Sequence, residues 1–181
     1  HEIRTVLQTI DLADQLEIEL GPNLRVDCDD PALSGDANLV WWAATALARS
    51  QQILPQASIT LRKGIPTGMG LGGGSSDAAV TLLALNQLWD LNLPLEVLAE
   101  LAGELGSDVP FFLWGGTAWA GGRGEQVTPL PAIPSVPVSL LCPPTTLPGK
   151  TARLYSMVTR ALYSDGGITR RMMQNLMEGS F

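Results

Sequence analysis

Five glycines and then two serines stand in the run Pro66-Thr67-Gly68-Met69-Gly70-Leu71-Gly72-Gly73-Gly74-Ser75-Ser76-Asp77-Ala78. Glycine permits positive φ angles and removes side chains that would hold a ligand off the backbone. The run follows Ser58 to Lys63, whose alternation reads as a strand, and precedes Ala79 to Leu88, which has strong helix character. A strand, a glycine turn and a helix start together aim unpaired backbone N–H groups at an anion. Pro66 through Ser76 are therefore candidate phosphate-binding residues. Ser75 and Ser76 open the helix, either as N-caps or as hydroxyls that reach a phosphate oxygen or Mg²⁺.

Two familiar loops share part of this pattern. Gly68-x-Gly70-x-x-Gly73 matches the dinucleotide fingerprint, and Asp90 falls near the offset of its ribose-binding acid. That acid belongs at the end of a second strand. Here Asp90 leads through Leu91-Asn92-Leu93-Pro94 into another helical segment. A Walker-type loop needs Gly-Lys-Ser/Thr after the glycines, and none follows. A ligand-free strand-to-helix corner would need fewer glycines. A second chemical candidate is Asp108, in Gly106-Ser107-Asp108-Val109-Pro110-Phe111-Phe112. An aspartate after a helix-ending glycine and two residues before proline also has the pattern of an N-cap.

The elements that must position these residues are mixed. Ile3 to Leu20 reads as strands broken at Asp11 to Asp14, and Leu24 to Cys28 as another strand after the Gly21-Pro22-Asn23 turn. A helix is expected from Ser34–Asn38 to about Gln52, with Asp36 or Asn38 as N-cap. Leu95 to Leu105 is a further helix, closed by Gly106. Ser107 to Phe112 is a short helix, and Gly115 to Glu125 a hairpin. Four prolines at 129, 131, 134 and 137 make Thr128 to Pro137 the best linker. Beyond it, Val138 to Cys142 reads as a buried strand, with helices over Lys150–Tyr163 and Ile168–Met177. Without a steady βαβ rhythm, the expected class is α+β. Trp41, Trp42, Trp114 and Trp119 have apolar neighbours and read as core or half-buried packing.

The 181 residues carry a net charge of −7, which argues against a nucleic-acid surface. An anionic ligand must then be held by local donors. Asp11, Asp14, Asp27, Asp29 and Asp30 read as a solvated, turn-rich acidic region without metal-ligand spacing, so no protein metal site is expected. The two cysteines, Cys28 and Cys142, are far apart in sequence, which fits a reducing, cytoplasmic location. No run reaches the roughly 18 apolar residues of a membrane helix, and no membrane partner is expected. The chain opens on His1 and ends on Phe181 after a helical segment; both ends read as cut.

Beyond these local readings, the run from Pro66 to Ala78 resembles the ATP-binding motif of the GHMP small-molecule kinases. Three further stretches extend the likeness: His1-Glu2, Gly106 to Phe112, and Gly115-Gly116-Thr117-Ala118 with Gly122-Arg123-Gly124-Glu125. The last two select a branch acting on a cytidine diphosphate-linked alcohol in isoprenoid precursor synthesis. The resemblance implies a GHMP-kinase-like α+β domain over residues 1–130 that binds ATP, and the beginning of a second α+β domain over 131–181. It implies ATP with Mg²⁺, a small cytidine diphosphate substrate, and a monomer or weak homodimer. Asp108 would prepare the acceptor hydroxyl, Lys63 would lie near the nucleotide, and Asn38 would contact adenine, although Asn38 also suits a helix cap. His1 and Thr151 would bind substrate. A lysine in a Pro-Ala-Lys-x-Asn segment would lie upstream of His1, so poor turnover is expected of these residues alone. Another GHMP kinase, or a non-catalytic nucleotide-binding module of the same fold, is the alternative.

Overall fold

The computed structural model describes residues 2–143 and 150–179. Strands β1 (Thr5–Gln8), β2 (Gln15–Leu20) and β3 (Arg25–Cys28) lead through two 3₁₀ turns into helix α1 (Leu39–Ser50). Strand β4 (Ala57–Arg62) feeds the glycine loop and helix α2 (Gly73–Leu88), followed by α3 (Leu95–Leu105) and α4 (Val109–Trp114). Strands β5 (Thr117–Gly121) and β6 (Gln126–Pro129) form the hairpin, and α5 (Lys150–Ser156) and α6 (Gly167–Met177) close the described chain.

The strands make two three-stranded sheets, ordered β1-β5-β6 and β2-β4-β3. In the second, β4 is central: β2 lies antiparallel, pairing Leu16 with Leu61 and Ile18 with Ile59, and β3 lies parallel. Period-two alternation sends Ala57, Ile59 and Leu61 into the core. There they meet Val40, Ala43, Ala44 and Leu47 of α1, and Leu82 and Leu85 of α2, all fully buried. Each such leucine or isoleucine contributes about 2 kcal/mol relative to exposure. This core holds the strand before the glycine loop and the helix after it as one packed unit.

Local chemistry sets the helix ends. Asn38 is the N-cap of α1: its Oδ1 accepts from Val40 N–H at 3.0 Å, and its Nδ2 donates to Leu33 O at 2.8 Å. At the other end of α2, Asp90 takes φ 53° while Leu91 N–H bonds Asn86 O, which turns the chain straight into α3. No second strand follows the glycine helix, which excludes the dinucleotide arrangement.

Several expectations need correction. The start of α2 lies two residues before Ser75, because Gly72 at φ 74° takes the N-cap position; neither Ser75 nor Ser76 caps it. The segment Val138 to Cys142 is neither buried nor a strand. Leu141 is 94% exposed, and among the described residues no neighbouring strand supplies the ladder it would need. The expected helix over 150–163 stops at Ser156, with only a 3₁₀ turn at Arg160–Leu162 beyond it. Strand β6 begins at Gln126 and extends to Pro129, so Gly122–Glu125 is the hairpin turn and the irregular segment starts at Leu130. Trp42 is exposed, its indole N–H donating to Asp36 O.

The loop entering α2 separates two kinds of glycine. A Cβ at Gly72 would sit 2.6 Å from the Phe112 ring, on a residue already at φ 74°. A Cβ at Gly74 would meet nothing within 4 Å. We expect Gly72→Ala to lower unfolding free energy by roughly 2–3 kcal/mol. Gly74→Ala should be neutral or stabilising by up to about 1 kcal/mol. Urea denaturation of both variants checks the contrast.

Candidate functional site

The glycine loop climbs from β4 to α2 with positive φ at Gly68, Gly70 and Gly72 (76°, 80° and 74°). These left-handed steps make glycine necessary there. The first helical bond of α2 runs from Ser76 N–H to Gly72 O at 2.8 Å. The N–H groups of Gly73, Gly74 and Ser75 precede that bond and have no intrahelical acceptor. They point out of the helix start, where the dipole also favours an anion. Ser76 Oγ donates to Gly73 O at 2.8 Å, which fixes its rotamer and leaves its lone pairs available.

Behind the loop lies a charged cluster whose members come from three separate segments of the chain. Lys63 Nζ contacts Asp14 Oδ2 at 2.5 Å and Asp77 Oδ2 at 2.8 Å. The Asp14 and Asp77 side chains are 1% and 2% exposed. Asp14 Oδ1 also accepts the N–H groups of Gly64 at 2.7 Å and Ile65 at 2.8 Å. Burial presses the Asp14 carboxyl upward, but the bonds from Ile65, Lys63 and Gly64 outweigh it and hold it below the usual range. Asp77 is pushed up to about 6, first by burial and then by the Asp14 charge, against the pull of Lys63. Burial works against the Lys63 ammonium, yet its bonds to both carboxylates raise its pKa.

Asp14, Asp77, Gly70, Gly72 and Ser76 share one cleft of about 560 Å³ with Asp108. Its other wall is apolar and includes Leu7, Leu12, Val80 and Phe112. Asp108 occupies the N-cap position of α4 but makes no capping hydrogen bond, so its exposed carboxylate is uncommitted. The hairpin turn lies against it: a Cβ at Gly124 would be 3.6 Å from Asp108 Oδ1. A phosphate-ready loop and a free carboxylate thus face one cavity.

The profile of the GHMP kinases N terminal domain matches residues 38–116. That stretch includes the loop, α2 and Asp108. The chain carries a GHMP kinase N-terminal domain. It is 38% identical over 180 residues to 4-diphosphocytidyl-2-C-methyl-D-erythritol kinase of Dehalococcoides mccartyi, a match covering 99% of this chain and 63% of the relative. The enzyme of that name from Prochlorococcus marinus is 42% identical over 180 residues, covering 97% of this chain and 57% of the relative. The chain therefore spans about three fifths of the length of these curated relatives. Among solved structures, 4-(cytidine 5'-diphospho)-2C-methyl-D-erythritol kinase aligns with TM-score 0.73 and 33% identity, over 99% of this chain and 63% of that one. Homoserine kinase from Cytophaga hutchinsonii aligns at 0.66 with 21% identity, over 92% and 59%, a likeness of fold alone.

Within the GHMP kinase domain, the candidate residues do not all converge. Gly70, Leu71, Gly72, Ser76 and Asp108 line the cleft. Pro66, Thr67 and Gly68 are exposed and Met69 is half-buried, and these four lie outside its wall, as do Gly73, Gly74 and Ser75 at the helix start. Lys63 is neither free nor exposed: it is consumed by its two carboxylates. Asn38 is buried and also outside the cleft wall, with both ends of its amide spent on capping. His1 lies outside the described residues; Thr151 falls in α5. The expected solvated acidic region loses Asp14 to the cluster, because Gly64, Ile65 and Lys63 all converge on it. Asp77 was missed altogether. Its signal was positional, since it falls on the buried stripe of α2 with Ala78, Thr81, Leu82 and Leu85, where a carboxylate needs a partner.

Asp77 titrates oppositely to a normally paired carboxylate. Its folded pKa of about 6 exceeds the ordinary aspartate value of 3.8. The folded state therefore binds the proton more tightly, and Asp77 withdraws stability as pH rises from about 4 to about 6. Asp14, whose pKa is lowered, adds stability above about pH 4 and loses it below. We expect the stability of Asp77→Asn relative to the wild type to rise across pH 4 to 7, because the variant lacks the carboxyl that loses its proton there. Denaturant titrations at several pH values measure this directly.

Proposed function

We propose that this chain is the nucleotide-binding part of a kinase transferring the γ-phosphoryl group of ATP to the 2-hydroxyl of 4-(cytidine 5'-diphospho)-2-C-methyl-D-erythritol, in isoprenoid precursor biosynthesis. The observation that carries the proposal is the shared cleft: Gly70, Gly72 and Ser76, which flank the amides of the helix start, line it together with the uncapped Asp108 carboxylate. The named relatives supply the substrate.

Phosphoryl transfer asks for alignment and charge stabilisation more than for covalent chemistry. The N–H groups of Gly73, Gly74 and Ser75 would hold the triphosphate, and the positive helix end would offset its charge. Asp108 would accept a hydrogen bond from the acceptor hydroxyl, orient its oxygen toward the γ-phosphorus and take up its proton. Asp108 is exposed and makes no capping hydrogen bond, so its carboxylate is available as an acceptor. The apolar wall of Leu7, Val80 and Phe112 would limit water around the reacting groups.

Mg²⁺ would offset phosphate charge when bound with ATP. No group of three or more His, Cys, Asp or Glu side chains suited to a metal occurs among the described residues. The donor set therefore fits an ion held chiefly by the nucleotide, with the Ser75 or Ser76 hydroxyl as the protein's oxygen. Asp14 and Asp77 are already engaged by Lys63.

In the protein expressed from its full gene, Asp108→Asn should lower kcat at least about a hundredfold. Binding of the non-hydrolysable analogue AMP-PNP should stay within about twofold, because the loop is untouched. Wild-type turnover in the variant would remove Asp108 from the chemistry. Failure of the wild type to phosphorylate the cytidine compound, with activity on homoserine, mevalonate or galactose, would reassign the acceptor.

A further inference from the structure

Lys63 sits where a nucleotide contact would be expected, just upstream of the loop, yet its ammonium faces inward. Only 12% of its side chain is exposed, and it lies between two carboxylates that are almost wholly buried. An ammonium has three donors, and two are directed at Asp14 and Asp77.

These two carboxylates belong to the two ends of the glycine loop. Asp14 binds the loop entry, because its Oδ1 takes the N–H groups of both Gly64 and Ile65. Asp77 belongs to the loop exit, within the opening turns of α2. The ends also touch: a Cβ at Gly73 would lie 3.0 Å from Ile65 Cγ2 and 3.3 Å from Asp14 Oδ2. Residues 66–72 between them belong to no helix or strand and include three positive-φ glycines. Such a stretch has high conformational entropy, so its shape depends on how firmly its ends are held.

We propose that Lys63 is a positioning residue, not a nucleotide contact: bridging Asp14 and Asp77, it clamps the entry of the phosphate loop to its exit and pre-organises the loop's amides. Pre-organisation of this kind reaches the ligand as affinity, because the ordering cost is met before binding. A clamp made of one ammonium and two carboxylates is also a single unit. Removing either member of the Lys63–Asp77 pair releases the same restraint, so the losses should not add.

The inference rests on the ATP-binding reading above, and the experiment separates the two. Lys63→Met, Asp77→Asn and the double variant are compared by calorimetric titration with Mg²⁺ and AMP-PNP, and by amide exchange of residues 64–76 without nucleotide. Asp77→Asn keeps the shape of the side chain and relieves a buried charge, so it should fold at least as stably as the wild type near pH 7. Each single variant should weaken AMP-PNP binding about tenfold, with the double variant no worse than the weaker single. Loop amides should exchange faster in all three variants, while those of β5 and β6 stay unchanged. Loss confined to Lys63→Met, with Asp77→Asn binding within twofold and its exchange unaltered, would overturn the clamp and make Lys63 a direct contact. Additive losses would overturn it as well. If the wild type fails to bind AMP-PNP, the nucleotide reading falls, and the exchange data alone decide the clamp.

Discussion

One ammonium group held between two buried carboxylates ties three segments of this domain together. Lys63 comes from the end of β4, Asp14 from the link between β1 and β2, and Asp77 from the start of α2. Taking three charges out of water is costly, and only close contact with full hydrogen bonding offsets it. Asp14 meets that condition with two backbone N–H groups besides the lysine; Asp77 meets it less completely and is left with a raised pKa. The cluster sets where the strand ends, where the loop begins and how the helix starts. It also draws the Leu12–Asp14 segment into the wall of the cleft.

A second link carries this order across to the chemistry. Phe112 packs so closely on Gly72 that the loop accepts no side chain there. Phe112 belongs to α4, whose N-cap position is Asp108, and its ring meets Phe111 edge-on at 5.0 Å. The distance from loop to carboxylate is thus governed by packing within one short helix, not by a flexible connection. In-line transfer depends on such spacing. The net charge of −7 over these 181 residues makes the local donors still more important, since the charge of these residues disfavours a triphosphate.

Much of this was legible from periodicity. The alternation of Gln15–Leu20 and Ala57–Arg62, and the apolar stripe of α1, identify strands and helix because burial enforces those periods. The helix Leu95–Leu105 was marked at both ends, by Pro94 and Gly106. Features decided by tertiary contact were not legible. Asp14 resembles its solvated neighbours until the loop entry folds over it. Lys63 resembles an exposed strand-end lysine until two carboxylates from distant segments reach it. Ser75 and Ser76 have the right residue type for a cap, but the left-handed step at Gly72 starts the helix two residues before Ser75. Val138 to Cys142 has strand composition without a neighbouring strand, and composition cannot supply one.

The central claim is that the helix-start amides hold the triphosphate while Asp108 addresses the acceptor. A crystal structure of the protein expressed from its full gene, bound to Mg²⁺ and AMP-PNP, tests it most directly. The β- and γ-phosphate oxygens should lie within hydrogen-bond distance of the Gly73, Gly74 and Ser75 N–H groups, with the γ-phosphate facing Asp108. A triphosphate bound away from residues 66–76, or a γ-phosphate turned from Asp108, would contradict the account.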